Sequence, residues 1–166
     1  MGSNPSFYKG GNNPVDQVSW DDIQEFLSKL NTLTGQTFKL PTEAQWEYAA
    51  RGGNKSRGYK YSGSNDINDV AWCDGNSDNK THSVATKQPN ELGIYDMSGN
   101  VWEWCSDWFG KYDSSSQTDP QGAISGSYRV LRGGCCSYAA ENCRVSIRDN
   151  YDSDIRSISV GFRLAL

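Results

Sequence analysis

The chain has 166 residues, a length typical of one domain with its own hydrophobic core. A hydrophobic content of 36% and a mean hydropathy of −0.73 favour a soluble globular protein, and no apolar run approaches the ~20 residues that a membrane helix needs. The net charge of −4 disfavours general affinity for nucleic acid.

Five cysteines are present, an odd number without a CxxC pair. This pattern argues against a zinc ribbon and against a complete disulfide framework. We expect Cys73 and Cys105 to act as small core residues. Met1-Gly2-Ser3 has the character of an expression remnant, and no signal segment is recognised, so the compartment is not read directly from the chain.

The first half of the chain predicts a short strand and two helices. The strand is placed at Val15–Val18, and Ser19 or Asp21 can cap a helix that runs to about Asn31 and stops before Gly35. The apolar positions of this helix share one face; they are Ile23, Phe26, Leu27 and Leu30.

A second helix follows the capping box formed by Thr42 and Gln45, and it ends at Arg51-Gly52-Gly53. Residues 54–95 are rich in Gly, Asn, Asp and Ser and predict long irregular structure. Further strands are expected at Val101–Trp104, at Tyr128–Leu131 and at Gly161–Leu166. No linker or internal repeat is recognised, so residues 1–166 are interpreted as one domain.

The C-terminal part combines fixed-looking motifs with fillings that follow no period. The frame consists of Arg132-Gly133-Gly134, Asn142-Cys143-Arg144-Val145 and Gly161-Phe162-Arg163-Leu164. Between these motifs no helical or strand periodicity fits the residues. Fixed motifs that maintain the fold, with irregular segments between them, are typical of a displayed recognition surface. We predict such a surface at about residues 135–160.

Several motifs, in order, resemble the formylglycine-generating enzyme (sulfatase-modifying factor) family over nearly the whole chain. They are Val18-Ser19-Trp20, the stretch from Leu40 to Gly53, the stretch from Asn90 to Trp104, Arg132-Gly133-Gly134 and Gly161-Phe162-Arg163. The resemblance implies an α+β, C-type-lectin-like fold with two helices on small antiparallel sheets and much irregular loop. Trp102 and Trp104 alternate along a strand and should point to one side.

The family's enzymes hold copper with a cysteine pair shortly after Arg-Gly-Gly, and thiolates suit reduced copper. This chain has Cys135, Cys136 and Cys143 there. However, the segment to Arg148 is shorter than in those enzymes, and register from the C terminus places Ala140 at the second cysteine. A related branch, the iron-dependent sulfoxide synthases, needs three histidines, and this chain has only His82. We therefore predict a non-enzyme, with the copper-dependent oxidase that acts on a sulfatase cysteine as the alternative.

Within the family the chain resembles the variable proteins of diversity-generating retroelements. In those proteins a C-terminal region is copied with errors at adenines, typically in AAC codons, which cannot yield Lys, Gln, Glu, Met or Trp. Every candidate variable position holds a residue that such copying can produce. These positions, which we call the candidate surface, are Cys136, Ser137, Tyr138, Ala139, Ile147, Asp149, Asn150, Tyr151, Asp152, Ile155, Ser157, Ile158 and Ser159. The alternative is an ordinary surface loop of a non-enzymatic family member.

The composition of the candidate surface suits recognition. Tyrosines give contact area at low entropic cost, and Ser and Asn supply adaptable hydrogen bonds, as in antibody loops. Exposed isoleucines would form an apolar patch, and Asp149 and Asp152 favour a partner with basic groups. We expect a protein ligand, with a glycan as the alternative, no nucleic acid and no membrane insertion. Related variable proteins suggest display at the cell surface or outside the cell.

The resemblance also implies a calcium site, although no cofactor is required for binding. By position, its ligands are the side chains of Asp96 and Glu103 and the backbone carbonyls of Gly99 and Val101. Such hard oxygen ligands suit calcium. The alternative is that Glu103 pairs with a buried arginine.

Overall fold

The computed structural model describes residues 3–166. Helix α1 spans Trp20–Thr34 and helix α2 spans Glu43–Ala50, and a one-turn helix α3 covers Ile67–Val70. The strands are β1 (Trp102–Trp108), β2 (Arg129–Arg132), β3 (Arg148–Tyr151) and β4 (Val160–Gly161). Within this part of the chain no helix is both long and apolar enough to cross a bilayer.

Local sequence signals place both main helices. The Ser19 hydroxyl accepts from the backbone N–H of Asp22 while the Asp22 carboxylate accepts from the N–H of Ser19, so a capping box opens α1. Gly35 ends α1 with a φ of +68°, a conformation that glycine adopts readily. Thr42 and Gln45 form the predicted box of α2. Both helix starts are therefore confirmed.

The four strands form one sheet in the order β3-β2-β1-β4. Strands β1, β2 and β3 pair antiparallel, whereas the short β4 pairs parallel to β1. The predicted strand at Val15–Val18 is wrong: these residues carry no strand, and Gln17 has a positive φ of 61° that breaks an extended ladder. The predicted strand at Gly161–Leu166 shrinks to Val160–Gly161 and an isolated bridge at Ala165.

The sheet lies between the two helices. On one face, Trp102, Trp104 and Leu131 pack with Ile23 and Leu27 of α1. On the other face, Cys105 and Val130 pack with Trp46 of α2 and with Met97. Alternation along each strand therefore sends one set of side chains toward α1 and the other toward α2, and Trp102 and Trp104 point to one side as predicted.

A buried arginine lies on the α2 side of the sheet. Arg132 is fully buried; it pairs with Glu47 and donates to the carbonyl oxygens of Val145 and Ile147. These contacts of its two terminal nitrogens offset the desolvation cost of the buried guanidinium, whereas its Nε has no hydrogen-bond partner among residues 3–166. Arg132 thereby joins α2 to the segment that leads into β3.

Candidate ligand-binding surface

The floor of the candidate surface is the α1 side of the sheet, where two buried tryptophans of β1 lie. The indole N–H of Trp104 donates to the carbonyl of Val18 at 3.0 Å, and the backbone N–H of Trp102 donates to the carbonyl of Ser159 at 2.8 Å. Both rings belong to the core cluster that packs on α1. The floor is therefore fixed by contacts with other parts of the fold.

Two candidate tyrosines rest on this floor. The Tyr138 ring meets Trp102 edge-to-face with centroids 5.9 Å apart, and the Tyr151 ring meets Trp104 at 6.5 Å. Burial raises the pKa of Tyr151, and the nearby Tyr138 hydroxyl and Asp149 carboxylate act in the same direction. Tyr138, Tyr151 and Asp149 thus lie together although they come from two separate segments.

Small hydroxyl groups form a second part of the surface beside the tyrosines. The Ser137 hydroxyl lies 3.4 Å from the Cys135 sulfur, and the hydroxyls of Ser157 and Ser159 lie 2.9 Å apart. Burial raises the pKa of the Cys135 thiol, while Ser137 and Ser159 oppose that rise by hydrogen bonding. Residues from the segments around 137 and 158 therefore converge on Cys135.

Residues outside the candidate surface hold its segments through backbone atoms. The hydroxyl of Ser77 donates to the carbonyl of Cys136 at 2.5 Å, and the N–H of Cys136 donates to the carbonyl of Asn100 at 2.9 Å. The N–H of Asp74 donates to the carbonyl of Tyr138 at 3.1 Å, and that of Gln17 to the carbonyl of Ser157 at 3.0 Å. Such bonds do not depend on the side chains of the candidate positions.

Glycines allow this close approach of backbone to backbone. Gly134 has a φ of +76°, and a Cβ there would lie 2.7 Å from the sulfur of Cys143. Gly99 also has a positive φ, and a Cβ there would clash with the carbonyl of Trp72. The Gly-Asn and Arg-Gly-Gly motifs are therefore needed for the path of the chain under the surface.

The candidate positions differ in how far they reach solvent. Ser137, Asp152, Ile155 and Ile158 are exposed, the two isoleucines by 40% each. The half-buried positions are Tyr138, Ala139, Ile147, Asp149, Asn150, Tyr151, Ser157 and Ser159. Ile147 packs against the cluster that contains Trp104.

Two positions do not join the surface. The side chain of Cys136 is only 2% exposed, so the prediction that it contacts a ligand is corrected: its backbone is held by Ser77 and Asn100, and its side chain points into the core. Asn150 pairs with Val130, whose side chain packs on the α2 side. Alternation places Asn150 on that side too, opposite Tyr151.

Negative charge dominates around the surface. Among residues 3–166, no lysine or arginine forms an ion pair with Asp149, Asp152 or Asp154. Two nearby arginines are already engaged. Arg156 pairs with Asp22 at 2.6 Å, and Arg129 lies between Trp20 and Trp108, 3.7 Å and 3.4 Å from the ring centroids.

The three cysteines near Arg-Gly-Gly behave as packed thiols. Cys135, Cys136 and Cys143 are all buried, and burial raises the pKa of each, that of Cys136 to about 12. Neutral thiols are therefore the stable form at physiological pH. Reactive or metal-binding cysteines instead have a lowered pKa, set by nearby positive charge.

Of the four predicted calcium ligands, Glu103 forms an ion pair. The Glu103 carboxylate accepts from the indole N–H of Trp46 and from two nitrogens of Arg163, all at 2.6 Å. The Asp96 carboxylate accepts from the N–H of Ala85 at 2.7 Å. Because Arg163 already balances the charge of Glu103, these residues fit a structural ion pair better than they fit a calcium site.

A large groove lies elsewhere, and none of the candidate residues lines it. It has a volume of about 930 Å³ and lies between the N-terminal segment and α1, where Phe7, Val15, Phe26 and Phe162 line it. The candidate surface is therefore separate from that groove.

The sequence did not reveal the residues that hold the surface from below. Asn100 is buried, and its side chain bonds both backbone polar groups of His82 at 3.1 Å. Ser77 is buried beneath Cys136. The Gly-Asn motif was the only signal for Asn100, and nothing in the Ser-rich loop distinguished Ser77 from its neighbours.

Comparisons with known proteins agree with this architecture. A family model described as "Sulfatase-modifying factor enzyme 1-like domain" matches residues 1–166. Chaperone protein LppX of Paenibacillus barcinonensis is 31% identical over 99% of this chain and 73% of its own length. The formylglycine-generating enzyme of Streptomyces coelicolor is 37% identical over 93% of this chain but only 52% of its own length.

A solved structure, Treponema denticola variable protein 1, matches with a TM-score of 0.92 at 33% identity, over 99% of this chain and 77% of the other. The predicted α+β fold of the formylglycine-generating-enzyme type is confirmed by these matches, as is the likeness to a variable protein.

Proposed function

Because the chain belongs to the sulfatase-modifying factor enzyme 1-like family, we propose that it uses the family fold as a non-enzymatic scaffold that displays a diversified, ligand-binding C-terminal surface. The surface consists of the candidate positions other than Cys136 and Asn150. Fold alone does not determine function, whereas the arrangement of this surface bears on it directly.

The observation that carries the proposal is that the surface is held through backbone atoms. Ser77, Asp74, Asn100 and Gln17 bond to carbonyls or N–H groups of the candidate segments and not to their side chains. A side chain at a candidate position can therefore be exchanged while these bonds persist. A rigid support also keeps the ordering cost of binding small.

The side chains of this surface favour a protein ligand. Two half-buried tyrosines over a tryptophan floor give rigid amphipathic contact area, and Ser137, Ser157 and Ser159 supply hydrogen bonds beside them. The exposed isoleucines add apolar area at the edge. We place such a receptor at the cell surface or outside the cell, where the relevant partners are encountered.

A genomic comparison tests diversification directly. We expect a near-copy of the coding segment for residues 136–159 beside a reverse-transcriptase gene, differing from it only at adenines of the copy. A near-copy with differences spread over all four bases, or sibling genes that vary equally inside and outside this segment, would refute diversification.

A copper-dependent oxidase is the second candidate. It is favoured by the 37% identity to a formylglycine-generating enzyme and by the presence of Cys135, Cys136 and Cys143 after Arg-Gly-Gly. Formylglycine formation on a sulfatase-type peptide with copper present tests it. Turnover that is abolished by Cys143→Ser would establish the oxidase. Formylglycine formation at the same background level with the unmodified protein and with Cys143→Ser supports the scaffold.

A further inference from the structure

We propose that the ligand contributes an arginine side chain, which stacks on Tyr138 and Tyr151 and pairs with the carboxylate of Asp149. This inference rests on the proposed ligand-binding function and names the chemistry at the centre of that surface. The occupant is a protein with a basic contact segment.

The aromatic half of this site is rigid. Each tyrosine contacts a different buried tryptophan, and the Tyr138 backbone is fixed at both polar groups, to Cys135 at 3.2 Å and to Asp74 at 3.1 Å. Tyr151 is held in β3 by its pairing with Arg129. Two ordered and half-exposed rings side by side are a suitable contact for a flat cation.

The acidic half lacks a partner within the protein. Asp149 and Tyr151 are two residues apart on β3, so their side chains lie on one side of the sheet. One carboxylate oxygen of Asp149 accepts from the N–H of Asn150 at 2.8 Å, and no lysine or arginine among residues 3–166 pairs with the group. Asp152 and Asp154 extend the negative charge beyond it.

Arginine fits this combination better than lysine does. The guanidinium is planar, stacks on aromatic rings and donates two parallel hydrogen bonds to a carboxylate, whereas an ammonium is compact and strongly hydrated. The protein itself holds Arg129 between two tryptophan rings and holds Arg148 against Phe109 and Tyr112. Guanidinium stacking is thus compatible with the surroundings of β3.

A titration followed by NMR tests the inference with the full chain. The probes are N-acetyl-arginine amide, its neutral analogue N-acetyl-citrulline amide and N-acetyl-lysine amide. We expect the arginine probe to perturb the signals of Tyr138 and Tyr151 and to bind about tenfold more tightly than citrulline, with lysine between them. Asp149→Asn should weaken arginine binding about fivefold, and the control Asp113→Asn, in the exposed loop after β1, should leave it unchanged.

Equal binding of arginine and citrulline, or full affinity in Asp149→Asn, would overturn the inference. A displayed peptide library then separates it from the proposed function. Binders that require Tyr138 but carry no arginine would sink the arginine site and leave the binding surface standing. The control is Tyr48→Ala, on the exposed side of α2. Binders whose affinity is unchanged by both Tyr138→Ala and Tyr48→Ala would count against the surface itself.

Discussion

Asn100 tests whether the fixed scaffold holds the candidate surface. Its side-chain amide donates to the carbonyl of His82, and its amide oxygen accepts from the N–H of His82, both at 3.1 Å. Its own carbonyl accepts from Cys136, and its φ is +66°. In Asn100→Ala both bonds are lost at about 1 kcal/mol each, and alanine at positive φ costs about 1 kcal/mol more. We expect a loss of about 3 kcal/mol in the free energy of unfolding.

Urea unfolding under reducing conditions measures this loss, and a triple variant at exposed positions provides the control. Ser137→Ala, Asp152→Ala and Ile158→Ala together should change the free energy of unfolding by less than about 1 kcal/mol, because all three residues are exposed and the only core contact removed is the 3.4 Å contact of the Ser137 hydroxyl with the Cys135 sulfur. The reasoning fails if Asn100→Ala costs no more than the triple variant, or if the triple variant unfolds the domain.

Three further results are expected. Millimolar calcium or a chelator should leave the melting temperature unchanged, because Arg163 already balances Glu103; a rise of several degrees on calcium addition would contradict this. Arg163→Met should lower the free energy of unfolding by about 3 kcal/mol, because it leaves the buried Glu103 without its ion-pair partner. The control Arg51→Met removes an exposed pair with Glu47 and should cost under about 1 kcal/mol in the same urea assay. Equal losses in the two variants would refute this distinction. Burial raises the pKa of the Cys136 thiol from 9.0 to about 12, because the folded state favours the neutral thiol. The neutral buried thiol therefore contributes to stability fully below about pH 9, and this contribution is lost as the pH rises toward 12. Cys136→Ser should therefore flatten the alkaline fall of the unfolding free energy, and unchanged slopes would argue against a buried thiol.

The sequence predicts the parts of the fold that short-range chemistry specifies. Capping boxes at Ser19 and Thr42 and the stop at Gly35 mark both helices because each signal operates within one helical turn. Strand β3 was not predicted because Asp149-Asn150-Tyr151 has no apolar alternation. Its conformation is set by pairing with β2, the preceding strand, whose residues lie outside any local sequence window.

The candidate surface was predicted as a set of positions but not as an arrangement. That Tyr138 and Tyr151 lie side by side depends on Trp102 and Trp104, and such long-range contacts leave no local pattern. The burial of Cys136 was likewise not predictable from local sequence: Cys136 is buried, whereas the next residue, Ser137, is exposed. One residue of difference along an irregular loop decides which side chain meets solvent.

The two sides of β3 account for the fixed register that the proposed diversification of this strand requires. On the α2 side, Arg148 donates to Glu43 at 2.8 Å, at a fixed position opposite the buried Arg132. On the α1 side, Asp149 and Tyr151 face the tryptophan floor. A slip of one residue would carry Arg148 away from Glu43 and exchange the two faces of the strand. The ion pair therefore opposes slippage whatever side chains occupy positions 149 and 151, as the proposed diversification of the displayed side requires.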